Sequence, residues 1–393
     1  MLEIAKAIRR HPAARALFDI HFISDGGDFE YLIEKHQFPL TRLEPRLTRE
    51  KIEFIAKVDR GEKFSPAFSH KELMARVKAE CACLQNLNPV AVVTGSYVTI
   101  PVTCRVLKVP LVWVIQSTWL PAFFNHGAGM TESIRFLPLK AAADLFVRGL
   151  INLWIRYGFL NGINWASRHF GVPGYRSIFE FWRGDLTLVA EPPEFSNAKL
   201  PAGYHFTGPL IAREDFPVPP EVVGIGRDKP LIFFAMGSSG TPEIVAKIIE
   251  SFEGMPYRII APVKFQLDRV AGVRIPSNVF VCDWLPALEA NSMADLAVIH
   301  GGIGTVMTAA LAGKPVVGVG MQPEQVANLA CLVRLGFAIR VPKCKDPGPQ
   351  VQAAIRLLIN DEAAKAKAAA FARVVEKWDG PRLAAEALLA RFG

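Results

Sequence analysis

Short, continuous apolar runs alternate with stretches of helical periodicity along most of the chain. Apolar runs lie at 20–24, 90–94 and 111–115, and the segment 69–87 between them has apolar residues at helical spacing. Continuous apolar runs are typical of strands that are covered on both faces of a parallel sheet. The pattern therefore predicts an α/β fold in which parallel strands alternate with helices.

The same alternation starts again after a break in the middle of the chain. Residues 211–230 are rich in proline and charge and have no clear period, which is typical of a linker. Because 393 residues exceed what one hydrophobic core normally holds, we expect two domains, 1–209 and 210–375. Further apolar runs predict strands in the second domain at 231–235, 258–261, 279–281, 296–299 and 315–319. An alanine-rich helical stretch, interrupted near Gly380, ends the chain.

Composition and charge narrow the class of protein. The chain is 51% hydrophobic and has a formal charge of +8, without a dense run of Lys and Arg. This composition argues against disorder and against nucleic-acid binding. The positive charge fits either an ordinary basic surface or attraction to anionic lipid or to a phosphorylated substrate.

Compartment and membrane contact are predicted from the cysteines and the longest apolar stretch. None of the six cysteines forms a CxxC pair, so we expect reduced thiols in a cytoplasmic protein. Residues 145–165 come closest to a membrane span, but Arg148 and Arg156 interrupt them. This stretch predicts either a buried or pocket-lining helix or a peripheral contact with the inner membrane face, and no transmembrane segment is expected.

Two glycine-containing turns follow apolar strands and open helices. The first, His300-Gly-Gly-Ile-Gly-Thr305, precedes a helix predicted at 306–312; the second contains Gly237 and Ser238 and leads to Thr241 and Pro242 as N-cap and first helical residue. Small residues at such a turn let phosphate approach the free amides of a helix start. Each turn alone fits equally a tight turn or an ordinary capped helix.

Two further elements carry polar or aromatic groups in predicted loops. Trp284, before Pro286, can stack on a nucleobase or lie in the core. Glu324 and Gln325 can bind sugar hydroxyls or belong to a solvated loop.

The order and spacing of these elements resemble the donor-binding signature of the family 1 glycosyltransferases, which include UDP-glycosyltransferases and macrolide glycosyltransferases. The resembling stretch is 280–336, FVCDWLPALEANSMADLAVIHGGIGTVMTAALAGKPVVGVGMQPEQVANLACLVRLG. The resemblance implies that Trp284 stacks on the base and that Glu324 and Gln325 bind the sugar. It implies a diphosphate site formed by His300, Gly302, Gly304, Thr305, Gly237 and Ser238.

The resemblance also implies a fold and a reaction. The fold would be GT-B, two Rossmann-like domains with parallel sheets facing a cleft. The domain 1–209 would bind the acceptor, 210–375 the nucleotide sugar, and 376–393 would cross back to the first domain. The reaction would be an inverting, metal-independent transfer of a hexose from a UDP- or dTDP-sugar to a small hydrophobic acceptor, with no other cofactor; no DxD motif is placed to bind a metal. Candidate residues for the acceptor pocket, which fit the core equally well, are Trp113, Trp119, Phe123 and Phe124.

The chain departs from the family pattern at three donor-site positions and at its N-terminal end. Ala287, Thr308 and Glu324 stand where plant members have Gln, Glu and Asp, which affects the expected base and sugar. The family's first strand and its Gly/His turn, which supplies the catalytic base, have no counterpart in this sequence. We expect the half that lacks this strand to be the less stable one.

No catalytic base is therefore assigned. His21, His126 and His169 are possible substitutes, although each fits a structural role better. The missing turn leaves three alternatives, namely a start codon further upstream, a different base, or a chain that binds donor without efficient catalysis. A transferase of peripheral membranes with a lipid acceptor and a non-catalytic nucleotide-sugar-binding protein remain the alternative functions.

Overall fold

The computed structural model describes most of the chain. The described residues are 1–27, 29–59, 62–63, 65–121, 149, 153, 155–213, 216–237 and 240–393. Ser238, Phe123, Phe124 and His126 lie outside them.

The strands of the described residues form three sheets in which every pairing is parallel. A two-stranded sheet contains β1 (Phe22–Ser24) and β2 (Leu40–Arg42). A four-stranded sheet has the order β3 (Val92–Thr94), β4 (Leu111–Ile115), β5 (Leu186–Val189), β6 (Tyr204–Phe206). A six-stranded sheet has the order β12-β11-β10-β7-β8-β9, with bounds Leu231–Ala235, Arg258–Ala261, Val279–Val281, Leu296–Ile299, Val316–Gly318 and Ala338–Arg340 for β7 to β12.

Helices precede and connect these strands, as parallel pairing requires. In the first half they are Leu2–Arg10, Pro12–Leu17, Glu30–Lys35, Arg49–Asp59, His70–Leu87, Ile100–Leu107, Leu160–His169, Ile178–Phe181 and Pro193–Ser196. A 3₁₀ turn, Ser117–Trp119, follows β4, and a π-helical turn covers Ile155–Phe159. The later helices are Pro220–Val223, Pro242–Ser251, Lys264–Leu267, Ala287–Met293, Ile303–Leu311, Pro323–Leu335, Gly348–Leu358, Glu362–Val375 and Gly380–Phe392.

Apolar side chains cover both faces of the six-stranded sheet. One face packs in the largest core cluster, which contains Phe234, Ile248 and Leu332, and the other packs around Phe233 and Leu285. Burial on both faces explains why these strands are continuous apolar runs in the sequence.

The last helix, Gly380–Phe392, lies against the first helix, Leu2–Arg10. Leu388 shares a buried cluster with Ile4 and Ile8 and with Val112 and Val114 of β4. The end of the chain thus packs on the four-stranded sheet of the first half. None of the helices among the described residues is long and apolar enough to cross a membrane.

Candidate functional site

The carboxyl ends of strands from both halves border one large cleft of about 2080 Å³. Ligands of open parallel sheets bind outside these strand ends. The lining from the first half includes Ser24, Asp25, Ser96, Tyr97, Thr118 and Trp119. The lining from the second half includes Trp284, Gly304, Thr305, Thr308 and Glu324.

His300 lies directly after β10 and is wedged between the two glycine turns. A Cβ atom at Gly237 would lie 2.5 Å from its Cε1 atom, and a Cβ atom at Gly302 would lie 2.5 Å from its Nε2 atom. The close packing explains why both positions are glycine. Sequence reasoning placed these residues in one site, and the structure brings all three together, although none of them is part of the cleft lining.

Burial determines the charge of His300. Only 7% of the residue is exposed, and this burial lowers the pKa of the imidazole to about 4. Its Nδ1 atom lies 3.4 Å from the carbonyl oxygen of Ala235, which can only accept a hydrogen bond. Nδ1 therefore carries the proton at neutral pH, and Nε2 is left as an acceptor.

The helix after His300 begins earlier than the sequence pattern predicts. It spans Ile303–Leu311, and its N-cap, Gly302, has no side chain that could cap the first amides. The first amides of a helix have no partner within it and carry its positive dipole end. Gly304 and Thr305 line the cleft at this end, and a Cβ atom at Gly304 would meet nothing within 4 Å. The helix start is thus open to an anion.

Gln266 supports the second turn and was not singled out from the sequence. Its Nε2 atom donates to the carbonyl oxygen of Gly237 at 2.8 Å, and the residue is almost fully buried. Thr241 occupies the predicted N-cap of the following helix but makes no side-chain capping bond.

Trp284 lies at the cleft and not in the core. It is 49% exposed, lines the cleft and meets the ring of Phe216 edge to face at 5.0 Å. An indole with an open face can stack on a planar ligand. Of the two roles that the sequence left open for Trp284, the core role is wrong.

Glu324 and Gln325 point in different directions. Glu324 lines the cleft, and its Oε2 atom accepts a hydrogen bond from Gln116 at 3.1 Å. Gln325 is turned inward: its Oε1 atom accepts from the amide of Met321, and its Nε2 atom donates to Gln322. The backbone amide of Gln322 also donates to Oε1 of Gln325 at 3.2 Å as part of a capping box, so the structure does not bring Gln325 to the cleft wall.

The aromatic candidates of the first half lie at the border between core and cleft. Trp113 is fully buried, and its indole nitrogen donates to the carbonyl oxygen of Phe181 at 2.9 Å. Trp119 stacks on Trp182 at 4.8 Å. Both tryptophans contribute to the cleft lining, so each takes part in the core and in the pocket wall.

Charged groups occupy the first-half end of the cleft and were missed by sequence reasoning. Asp25, directly after β1, forms a buried ion pair with Arg76, and Glu30 pairs with both terminal nitrogens of the Arg46 guanidinium. The hydrogen bonds from Arg46 lower the pKa of Glu30 to about 2. Nothing local in the sequence marks these pairs, because their members are distant in the chain.

The histidines considered as catalytic bases do not lie at the cleft where the structure describes them. His21 contacts Thr41 at 2.8 Å through Nε2, and His169 stacks on Trp165 at 5.5 Å. Neither is among the lining residues. Within the described residues, no group of three or more His, Cys, Asp or Glu side chains is arranged to hold a metal ion.

Comparison with known proteins gives consistent results in sequence and fold. Residues 255–381 match the family described as "Erythromycin biosynthesis protein CIII-like, C-terminal domain". The chain is 26% identical over 382 residues to the PGL/p-HBAD biosynthesis glycosyltransferase of Mycobacterium tuberculosis, covering 94% of this chain and 86% of that protein.

Solved structures share the whole fold. The glycotransferase of kitacinnamycin superposes with a TM-score of 0.68 at 19% identity, covering 100% of this chain and 95% of that one. The glycosyltransferase SsfS6 of Streptomyces sp. SF2575, complexed with thymidine diphosphate, has a TM-score of 0.63 at 16% identity, with 98% and 94% covered. Taken with the match to the mycobacterial enzyme, these findings support a glycosyltransferase with the GT-B fold that is similar to the family 1 enzymes.

Proposed function

We propose that the chain transfers a hexose from a UDP- or dTDP-sugar to a small hydrophobic acceptor, with inversion and without a metal ion. One observation carries the proposal: an exposed indole, Trp284, and an open helix start at Gly304 and Thr305 line the same cleft. Stacking on the indole suits the base, and free helix amides suit the diphosphate. SsfS6, which shares the fold, was solved with thymidine diphosphate.

The reaction requires stabilisation of the departing diphosphate and removal of a proton from the acceptor. The helix start at Gly302 and the nearby imidazole of His300 supply the first requirement when the negative charge develops. Metal is not needed if these groups neutralise that charge. The base is unassigned: Asp25 lies at the cleft, but its carboxylate is engaged in the buried ion pair with Arg76.

Removal of the Trp284 ring tests nucleotide binding directly. In Trp284→Ala, we expect the dissociation constants for UDP and dTDP to rise about fivefold or more, because stacking on a base contributes about 1–3 kcal/mol. The melting temperature should change little, since half of the side chain is exposed. Calorimetric titration and thermal unfolding measure the two effects.

Phe265→Ala is the matched control for this experiment. Phe265 is also partly exposed, but it is not part of the cleft lining. The control should bind both nucleotides as the wild type does. If the wild type binds neither nucleotide, or if both variants bind equally well, the proposed donor site is wrong. Nucleotide binding without any turnover on a panel of acceptors would favour the non-catalytic alternative.

A lipid acceptor at a membrane surface is the second candidate. Four large apolar side chains at the cleft border are half exposed or more, namely Phe29, Tyr31, Leu153 and Tyr157. The chain also has a formal charge of +8. Exposed apolar groups beside a substrate opening suit an interface with lipid.

Cosedimentation with phosphatidylglycerol-containing vesicles tests this candidate. Binding that weakens in the double variant Phe29→Ser/Tyr157→Ser, at unchanged nucleotide affinity, is the result that a lipid-facing opening predicts. If the protein does not bind vesicles at any fraction of anionic lipid, the lipid acceptor is excluded in favour of a small soluble acceptor.

A further inference from the structure

Gln116 connects the two halves of the molecule from behind the cleft wall. It follows β4 directly and is 7% exposed. Its Nε2 atom donates to Oε2 of Glu324 at 3.1 Å, and its Oε1 atom accepts from Nδ2 of Asn328 at 3.0 Å. Glu324 and Asn328 lie 208 and 212 positions further along the chain. Both ends of one carboxamide are thus used to join the halves.

Asn328 extends this connection to the glycine turn. The residue is fully buried, and its Nδ2 atom also donates to the carbonyl oxygen of Gly301 at 3.1 Å. Gly301 follows His300 and has a φ of 91°, which favours glycine. A continuous set of hydrogen bonds therefore runs from the Gly301 turn through Asn328 and Gln116 to the Glu324 carboxylate.

The backbone that carries Gln116 is itself fixed by a buried carboxyl group. The amide of Ser117 donates to Oε2 of Glu191 at 3.1 Å, and Glu191 is completely buried after β5. Burial raises the pKa of Glu191. Because Gln116 lies between β4 and this bond, its backbone is held on both sides.

We propose that Gln116 is a positioning residue for the sugar of the donor, acting through the Glu324 carboxylate. The inference rests on the proposed function, in which Glu324 at the cleft wall accepts hydrogen bonds from sugar hydroxyls. A carboxylate held by a neutral amide presents its remaining lone pairs in a fixed direction. The site therefore recognises a hydroxylated sugar on the nucleoside diphosphate, with help from the opposite half of the molecule.

The proposal predicts different effects on the binding of the nucleotide sugar and on the binding of the free nucleotide. Among the described residues, the side-chain hydrogen bonds of Gln116 lead to Glu324 and Asn328 and not to Trp284, Gly304 or Thr305, the residues that would hold the nucleotide. In Gln116→Leu, which keeps the volume and removes both hydrogen bonds, the ratio of the dissociation constants of dTDP-glucose and dTDP should rise about tenfold. The dissociation constant of dTDP itself should stay within about twofold of the wild-type value. The same holds for UDP-glucose and UDP if uracil is the preferred base.

Two further variants keep the experiment decisive. Gln116→Glu preserves the shape and the acceptor for Asn328 but turns the contact with Glu324 into a repulsion, so it should shift the same ratio. Gln352→Leu removes a partly buried amide that donates to the carbonyl oxygen of Ser251; neither residue lines the cleft, and the ratio should not change. A double-mutant cycle with Glu324→Gln should show strong coupling between positions 116 and 324.

The outcomes distinguish the inference from the proposed function. An unchanged ratio in both Gln116 variants, an equal loss for nucleotide and nucleotide sugar, or additive effects in the cycle would overturn the positioning role while leaving the donor site intact. Failure of the wild type to bind dTDP, UDP or their glucose derivatives would refute the proposed function itself. Binding of the free nucleotides with no binding of either nucleotide sugar would also overturn the inference.

Discussion

Replacing His300 by asparagine is expected to lower the rate of sugar transfer about 10²–10³-fold, the usual cost of losing one group that stabilises developing negative charge. The imidazole lies between the turns of Gly237 and Gly302, beside the helix start that faces the cleft. Steady-state kinetics with a nucleotide sugar measure the effect. Thermal unfolding checks that the variant remains folded.

The pH dependence of donor binding gives an independent measure of the same role. Burial lowers the pKa of free His300 to about 4, so Nε2 is an acceptor at neutral pH and cannot donate to a phosphate oxygen. A bound diphosphate favours the charged imidazole and raises its pKa, so binding takes up a proton. Affinity for a nucleotide sugar should therefore increase as the pH falls, from the pKa of the complex down to about 4.

The asparagine variant serves as the control for this pH effect. A nucleotide sugar is the right probe, because its diphosphate has no group that titrates in this range, whereas the terminal phosphate of UDP has a pKa near 6. The slope of affinity against pH should differ between the wild type and His300→Asn. This difference reports the contribution of the imidazole alone, because every other titrating group is present in both proteins. Parallel pH profiles would show that His300 only packs the two turns and takes no part in binding the diphosphate.

The parallel strands of the core could be predicted from the sequence with good accuracy. The bounds of β4, β7 and β10 agree with the apolar runs at 111–115, 231–235 and 296–299. Such strands are covered on both faces and leave a continuous apolar signal. Four strands were not predicted, namely Leu40–Arg42, Leu186–Val189, Tyr204–Phe206 and Ala338–Arg340. Each has only three or four residues, so its pairing depends on the neighbouring strand more than on its own pattern.

The helix start at the glycine turn shows a second limit of sequence patterns. Gly304 and Thr305 look like part of a turn, yet the helix begins at Ile303. The strand end before it and the packing of His300 fix the backbone there, and neither is visible in local propensity. The difference matters for function because Gly304 belongs to the start of the helix and not to the preceding loop. The first backbone amides of a helix have no hydrogen-bond partner within it.

Side-chain direction was the least predictable property of the site. Gln325 was expected beside Glu324 as a sugar ligand, but it closes a capping box on Gln322. The spacing of three between these glutamines is the signal that could have revealed it. For Gln116 and for the ion pair of Asp25 with Arg76, no local signal exists, because the partners meet only after the chain has folded.

A methyl group added at two glycines of the site should have opposite effects on stability. In Gly237→Ala, the new Cβ atom would lie 2.5 Å from Cε1 of His300, and the ring cannot retreat because Gly302 packs on its Nε2 edge. The backbone at Gly237 also has a φ of 55°, which costs alanine about 1–2 kcal/mol. We expect the free energy of unfolding to fall by about 2–4 kcal/mol and the affinity for dTDP and UDP to be lost.

Gly304→Ala is the matched partner, because it makes the same chemical change in the neighbouring helix start. Its Cβ atom would meet no protein atom within 4 Å, and alanine in a helix is up to about 1 kcal/mol more favourable than glycine. The variant should therefore unfold at the same or a higher temperature, yet bind dTDP and UDP at least about tenfold more weakly, since the methyl group stands where a phosphate approaches the free amides. If the methyl group stabilises the protein but weakens nucleotide binding, a folding defect cannot explain the loss of affinity. If Gly304→Ala binds both nucleotides as tightly as the wild type, the diphosphate does not lie at this helix start.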